Sequence, residues 1–313
     1  LDCSSEGVLQ LRDRRGCEQL SAPLRLERYQ DRGEFWDAWD LAADYGEHSL
    51  GVEVLDGLQW VEQGPLVAHL VLRRRFGTSS LRIDLRLQAN RPWLELICST
   101  HWSQRHELLR LNMPLARPAV RVAADTSGGV IERPATANTA REAARWELPV
   151  ISWMASQAAA PGGGLAVLLD GPQGVDWDPG RLGVSLLRGP TWPDPGADRG
   201  WHRQRMALMP IAGSWNAEGV TQAAVAFREP GWLGPQPGVA KQWFPALPLS
   251  LTPISIMKGA SGVCCRVLNA GPARCSWRPG QPWLIRRKAD DPFVDEVVLA
   301  PGELVALQLR QSS

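Results

Sequence analysis

The stretch Leu81-Arg82-Ile83-Asp84-Leu85-Arg86-Leu87-Gln88 decides the fold class. Four aliphatic side chains alternate with four polar ones. Only a strand, whose side chains point to opposite faces in turn, sorts that pattern into one buried and one wet face. Just upstream, Leu66, Ala68, Leu70 and Leu72 alternate with Val67, His69, Val71 and Arg73. That run ends in three arginines, and Gly77-Thr78-Ser79-Ser80 supplies the turn of a hairpin. Working outward, strands are expected at 93–101, 106–113, 120–123, 165–169, 182–187, 206–209 and 222–227. Helical candidates are few: residues 139–146 contain helix formers, but Pro149 closes them within about two turns. The 30 Gly and 25 Pro argue the same way, because each breaks helix interiors. Strands this numerous, divided by Gly and Pro, make the chain all-β and sandwich-like, with no βαβ units.

A boundary is expected where Pro230, Pro235, Pro237, Pro245 and Pro248 fall close together, with Gly231, Gly234 and Gly238 among them. Beyond it, 251–256, 263–268, 274–277, 283–286, 296–299 and 304–309 read as short strands. Residues 1–230 are therefore expected to form a large β-domain, and 231–313 a linker with a small C-terminal β-unit packed on it.

The 313 residues are 44% hydrophobic and carry a formal net charge of +1. Near-neutrality offers nothing to nucleic acid or an acidic membrane, and no apolar run approaches the roughly 20 residues of a membrane span. Cysteines stand at 3, 17, 98, 264, 265 and 275, with no C-x-x-C and no His near enough for a zinc signature. They read as buried thiols of a reduced compartment, the cytoplasm, with a Cys3–Cys17 bridge as the alternative. The start, Leu1-Asp2-Cys3-Ser4-Ser5, has neither an initiator Met nor a signal-peptide pattern. It suggests a piece of a longer chain, although a processed mature end reads the same.

The chemistry-bearing residues are sparse. His48, His69, His101, His106 and His202 are scattered and read as structural, and no Gly-x-Ser-x-Gly elbow occurs. No carboxylate pair is singled out for glycoside hydrolysis, so no catalytic residue and no metal ligand is assigned. Fifteen Trp against two Tyr and five Phe leave open both core filling and stacking on sugar rings. Three segments are distinctive. In Phe35-Trp36-Asp37-Ala38-Trp39-Asp40, indole faces alternate with carboxylates, which suits a sugar ring and its hydroxyls but equally an aromatic plug. Trp36, Asp37, Trp39 and Asp40 are the candidates there. In Gly129-Val130-Ile131-Glu132-Arg133-Pro134, a strand runs into a loop bearing a solvated Glu132/Arg133 pair. In 185–200 a strand delivers Arg188 to the mouth of a proline-stiffened loop, a natural place to meet an oxygen-rich ligand. Asp194 and Asp198 can turn back to hold that loop, with His202 just beyond.

Taken in order, these segments resemble the C-terminal half of class II α-mannosidases, glycoside hydrolase family 38. Trp36-Asp37-Ala38-Trp39-Asp40 resembles the family's Trp-Asp-Ala-Phe/Trp-Asp stretch, and His106-Glu107-Leu108-Leu109-Arg110-Leu111 its His-x-Leu-Leu-Lys strand. Ile131-Glu132-Arg133-Pro134 with Asn138-Thr139 is similar to a third stretch. Leu186-Leu187-Arg188-Gly189-Pro190 with Pro193-Asp194, Ala197-Asp198 and Gly200 is the strongest match, and Pro301-Gly302-Glu303 resembles the approach to the family's last strand. The resemblance implies a galactose-mutarotase-like β-super-sandwich followed by a smaller β-sandwich unit. It also implies hydrolysis of α-D-mannosides by an N-terminal α/β-barrel that holds the zinc, the nucleophilic Asp and the acid/base carboxylate, none with a counterpart here. The chain would then be inactive alone, supporting that domain and completing its α-mannoside cleft, with Arg188 as the wall contact. Two alternatives stand beside it: an independent carbohydrate-binding module built on Trp36 and Trp39, and a mutarotase-type sugar epimerase. The epimerase needs an acid and a base across the anomeric centre, and no His/Glu pair stands out for it.

Overall fold

The computed structural model describes residues 2–5, 9–33, 37–52, 54–159, 163–229, 244–259 and 262–309. The alternating stretch lies within the strand Ser79–Gln88, with Leu81, Ile83 and Leu85 buried. It pairs with Val67–Phe76 so that Leu72 faces Ile83 and Arg73 faces Arg82, and the turn of this hairpin is Gly77-Thr78. The hairpin belongs to a nine-stranded antiparallel sheet. In spatial order its strands are Gly129–Pro134, Ala119–Thr126, Trp153–Ala158, Gly164–Asp170, Gly200–Ile211, Leu94–Trp102, Ser79–Gln88, Val67–Phe76 and Val54–Gln63. A six-stranded antiparallel sheet packs on it, ordered Leu148–Pro149, Gly174–Asp178, Arg181–Leu187, Glu107–Pro114, Arg25–Gln30 and Ser49–Val52. Their facing sides share one apolar core that includes Leu72, Ile83, Leu96, Trp102, Leu109, Leu111, Met113, Val167, Val184 and Leu208. The architecture is all-β, a sandwich of two large sheets. Val54–Gln63 escapes the sequence pattern because bulges at Leu55/Gly57 and Trp60/Glu62 twice break its alternation.

The strand expected at 222–227 is instead the helix Val220–Arg228. Val220, Ala223, Ala224 and Phe227 stand at i, i+3, i+4 and i+7 and are its buried apolar residues, so the true period is helical. The helix covers a second apolar cluster on the outer face of the nine-stranded sheet, with Trp153, Ala166, Leu168, Ala207 and Trp215. In the 139–146 region a single-turn helix, Ala140–Ala143, is capped by Thr139, whose hydroxyl accepts from Glu142 N at 3.2 Å.

A third core belongs to the C-terminal strands. Leu251–Gly259, Gly262–Asn269, Leu304–Leu309 and Trp283–Arg286 form a four-stranded sheet, and Cys275–Trp277 pairs with Val297–Leu299. Between them lie Leu251, Cys265, Val267, Trp277, Trp283, Ile285, Val305 and Leu307. Burial pushes the Cys265 thiol up to about 11, helped by the adjacent Cys264. Cys3 and Cys17 carry separate thiols and form no bridge. The expected boundary at 230/231 lies outside the described residues. Among the described residues, no helix is long and apolar enough to cross a membrane.

Leu111 sits at 0% exposure between the two large sheets. Leu111→Ala is expected to cost about 2–5 kcal/mol, because the surrounding sheets collapse only partly into the void. The check is a lower urea midpoint at unchanged denaturant slope.

Candidate functional site

The strand Glu107–Pro114 turns Leu109, Leu111 and Met113 into the sandwich core, so Arg110 and Asn112 face outward. Neighbouring strands place Glu27, Tyr29, Asp176, Arg181 and Ser185 around them. The centre of this outer face is nonetheless covered: Arg110 is fully buried and Asn112 is buried beside it. Its guanidinium donates to Glu147 at 2.7 Å, to Ser185 at 2.8 Å and to Asp176, which also accepts from Arg181 at 2.5 Å. Asn112 donates to Glu27 and to the Tyr29 hydroxyl, both at 2.8 Å, and accepts from Arg181 at 3.1 Å. Burial pushes the Asp176 carboxyl upward, but Arg110 and Arg181 outweigh it and hold the group below its usual range. Burial and the neighbouring Glu27 push the Tyr29 hydroxyl up to about 12. Gly183 makes room for the cluster: a Cβ there would overlap the Asp176 carboxylate and the guanidiniums of Arg181 and Arg110.

The segment 37–48 roofs this face. Tyr45 lies over the Arg110 guanidinium at 5.1 Å and donates its hydroxyl to Asp176 at 3.2 Å. Leu41 and Tyr45 pack on Leu108, and the Trp146 indole N–H donates to Leu41 O at 3.1 Å.

The outer end of the roof is held by Arg188. Its Nε donates at 2.5 Å to Asp31, which is 2% exposed, while its terminal nitrogens donate to the carbonyls of Asp37 (2.8 Å), Ala38 (3.4 Å) and Asp40 (2.7 Å). Its backbone N–H donates to Asp198 at 3.0 Å. Asp198 adopts a left-handed backbone, φ 58°, and its carbonyl accepts from His202 at 2.8 Å. Asp194 turns the loop by accepting from Gly196 N at 2.8 Å. The Asp37 carboxylate reaches the other way, accepting from Thr191 N at 2.7 Å and Trp192 N at 3.1 Å. His106 completes the junction, with Nδ1 at 3.7 Å from Asp37 and Nε2 at 3.2 Å from the Thr191 hydroxyl. Burial raises the Asp37 carboxyl, but the two backbone N–H donors and His106 prevail and lower it below the usual value.

The segments singled out in the sequence thus meet in space. Asp37, Trp39 and Asp40 lie against the 188–198 loop; Trp36 lies outside the described residues. The Arg188 guanidinium is spent on protein oxygens, so it shapes the surface from beneath. Asp40 uses its carboxylate on the adjacent Leu41 N at 3.0 Å and remains exposed. What the junction presents to solvent is an indole pair: Trp39, 66% exposed, meets Trp192, 53% exposed, edge-on with ring centres 5.3 Å apart. Two indoles fixed at an angle beside a carboxylate suit the apolar face and hydroxyls of a sugar. Sequence reasoning passed over Trp192, although it stands inside the quoted loop, and took His106 as an isolated structural residue. Among the described residues, no group of three or more His, Cys, Asp or Glu is placed to hold a metal ion.

Residues 1–196 match the Glycosyl hydrolases family 38 C-terminal domain. The chain belongs to this family. It is 31% identical over 219 residues to "Alpha-mannosidase 2C1" of Homo sapiens, covering 69% of this chain and 21% of the relative. It is 28% identical over 221 residues to "Alpha-mannosidase G" of Dictyostelium discoideum, covering 68% and 20%. The chain thus spans about a fifth of the length of the curated relatives it matches. In fold it is similar to the crystal structure of an alpha-mannosidase from Enterococcus faecalis V583, with TM-score 0.73 at 13% identity, over 98% of this chain and 41% of that one. The C-terminal strands therefore share a fold with this solved structure although they lie beyond the family match.

The depressed Asp37 carboxyl stabilises the folded junction at pH values above the unfolded value near 3.8, and that contribution is lost as pH falls through the lower folded value. In an NMR pH titration, the Thr191 and Trp192 amides are expected to shift with a midpoint below 3.8; a midpoint above 4 refutes the assignment. Arg188→Lys keeps the charge on Asp31 but cannot fork to three carbonyls. It is expected to raise amide hydrogen exchange of residues 37–41 by roughly thirtyfold, as about two hydrogen bonds of about 1 kcal/mol each are lost.

Proposed function

We propose that this chain is the non-catalytic β-half of a zinc-dependent, retaining α-mannosidase that hydrolyses α-D-mannosides. In this reading the zinc, the nucleophile and the acid/base carboxylate reside in an N-terminal α/β-barrel domain. The β-half buttresses that domain and completes its substrate cleft. The observation that carries the reading is the exposed Trp39–Trp192 pair, one indole on each of two facing segments that Arg188 and Asp37 tie together. Such a rigid aromatic wall offers stacking to a pyranose without supplying a proton or a nucleophile. The names of the curated relatives support mannosides as the substrate class. A galactose-mutarotase-like description of the super-sandwich suits the two facing sheets, and the separate Cys3 and Cys17 thiols suit a cytoplasmic protein.

The chain alone is expected to turn over no aryl α-mannoside, with or without added zinc; turnover that co-purifies with it overturns the reading. Joined to its catalytic half, Trp39→Ala is expected to lower kcat/KM by roughly 5–30-fold, from loss of about 1–2 kcal/mol of stacking. The exposed indole pair also favours a second reading, an independent carbohydrate-binding module. Calorimetric titration separates them: millimolar or tighter binding of mannobiose by the chain alone, abolished by Trp39→Ala, supports the module, and absent binding supports the incomplete cleft.

A further inference from the structure

The outer face of the nine-stranded sheet carries a charge distribution that its fold does not require. Register places Arg73 opposite Arg82, Arg82 opposite Ser99, and Ser99 opposite Arg203, one continuous row across four adjacent strands. The partners of these residues on the inner face, such as Leu72, Ile83 and Cys98, are in the core, so the row points away from it. Like charges directly opposite on an antiparallel pair destabilise it. A sheet normally answers with carboxylates, and here they are already engaged. Asp84 accepts from both nitrogens of the Arg82 fork at 2.8 and 2.7 Å and from His69 at 2.8 Å. Glu95 is held by Arg205 at 2.9 Å and Arg86 at 3.4 Å, and Asp56 by Arg75 at 2.7 Å. Arg73 and Arg203 are exposed and have no carboxylate partner among the described residues.

These residues line a groove of about 1040 Å³. Six arginines border it; Arg75, Arg82 and Arg86 are paired with Asp56, Asp84 and Glu95, and Arg74 is engaged elsewhere, so Arg73 and Arg203 are the two that supply its uncompensated positive charge. One rim is aromatic: Trp201, 74% exposed, packs its indole 5.2 Å from the His101 ring. Asp84 accepts from Nε and one terminal nitrogen of Arg82 and so orients its guanidinium, which leaves the second terminal nitrogen as the donor in the middle of the row.

We propose that this groove binds a sugar bearing two oxyanion groups, phosphate or sulfate. Arg73 and Arg203 each take one oxyanion, and Trp201 stacks on the ring. Strand spacing of about 4.8 Å puts the ends of the row roughly 14 Å apart at the backbone, and long arginine side chains can close from both ends on a bisphosphorylated hexose. The aromatic rim favours a saccharide over an acidic peptide, which needs no stacking platform.

Glucose 1,6-bisphosphate is the probe, titrated calorimetrically into the chain, with inorganic pyrophosphate, neutral glucose and a poly-glutamate peptide as comparisons. Expected are binding of the bisphosphate that weakens with added salt, weaker binding of pyrophosphate, and none of glucose. Arg73→Gln and Arg203→Gln should each weaken the bisphosphate at least tenfold, as loss of one charge-assisted contact implies. Arg73→Gln relieves the like-charge pair with Arg82 and Arg203→Gln removes an exposed, unpaired charge, so an unchanged melting temperature, or a higher one for Arg73→Gln, shows that they fold. Trp201→Ala should weaken the bisphosphate severalfold and leave pyrophosphate unchanged. No binding at 10 mM, affinity indifferent to both arginine variants, or tighter binding of the poly-glutamate peptide would each overturn the proposal, the last in favour of a protein partner.

Discussion

A guanidinium buried completely on the outside of a sheet is the constraint from which much of this structure follows. Arg110 cannot be left alone there, since an unpaired buried charge costs several kcal/mol. Its neutralisation requires Asp176 and Glu147 from one side and Tyr45 from above. Those partners impose further conditions. Asp176 must be shared with Arg181, Gly183 must lack a Cβ, and the chain between 37 and 48 must lie down as a roof. Once the roof is down its outer end is available to Arg188, which turns a surface loop into a fixed edge. The two indoles that face solvent are thus supported by a stack of obligations that begins two layers below them.

This arrangement separates positioning from presentation. Arg188, Asp31, Asp37 and Asp198 spend their charges on one another and on backbone atoms. The exposed surface above them is aromatic. A wall of this kind binds through shape and C–H contact, and its polar foundation is dry enough to keep it rigid.

How much of this was legible in the sequence depends on the range of the interaction. Period-2 alternation revealed the hairpin 67–88 because each strand has one wet face, a local condition. Residues 222–227 misled, since Ala and Val satisfy strand and helix patterns alike until the i+3/i+4 spacing of Ala223, Ala224 and Phe227 is counted from Val220. Trp39, Asp37 and Arg188 were visible as composition, and their order along the chain gave the family resemblance. Their contacts were not visible, because they join segments about half the chain apart. Arg110 was hidden most deeply: on a strand its position reads as a solvent face, and only the roof from 37–48 makes it interior.

The span of the Arg188–Asp31 bridge also has a temporal meaning. The two residues are 157 positions apart. During synthesis at about 5–20 residues per second, Asp31 emerges on the order of 10–30 s before its partner. For that interval the roof segment has no anchor at its outer end, although the strand that carries Arg110 emerges about halfway through it. The aromatic edge is consequently a late feature of folding, assembled only after most of both large sheets has left the ribosome, and a nascent chain stalled before residue 188 would carry Trp39 on an unfastened loop.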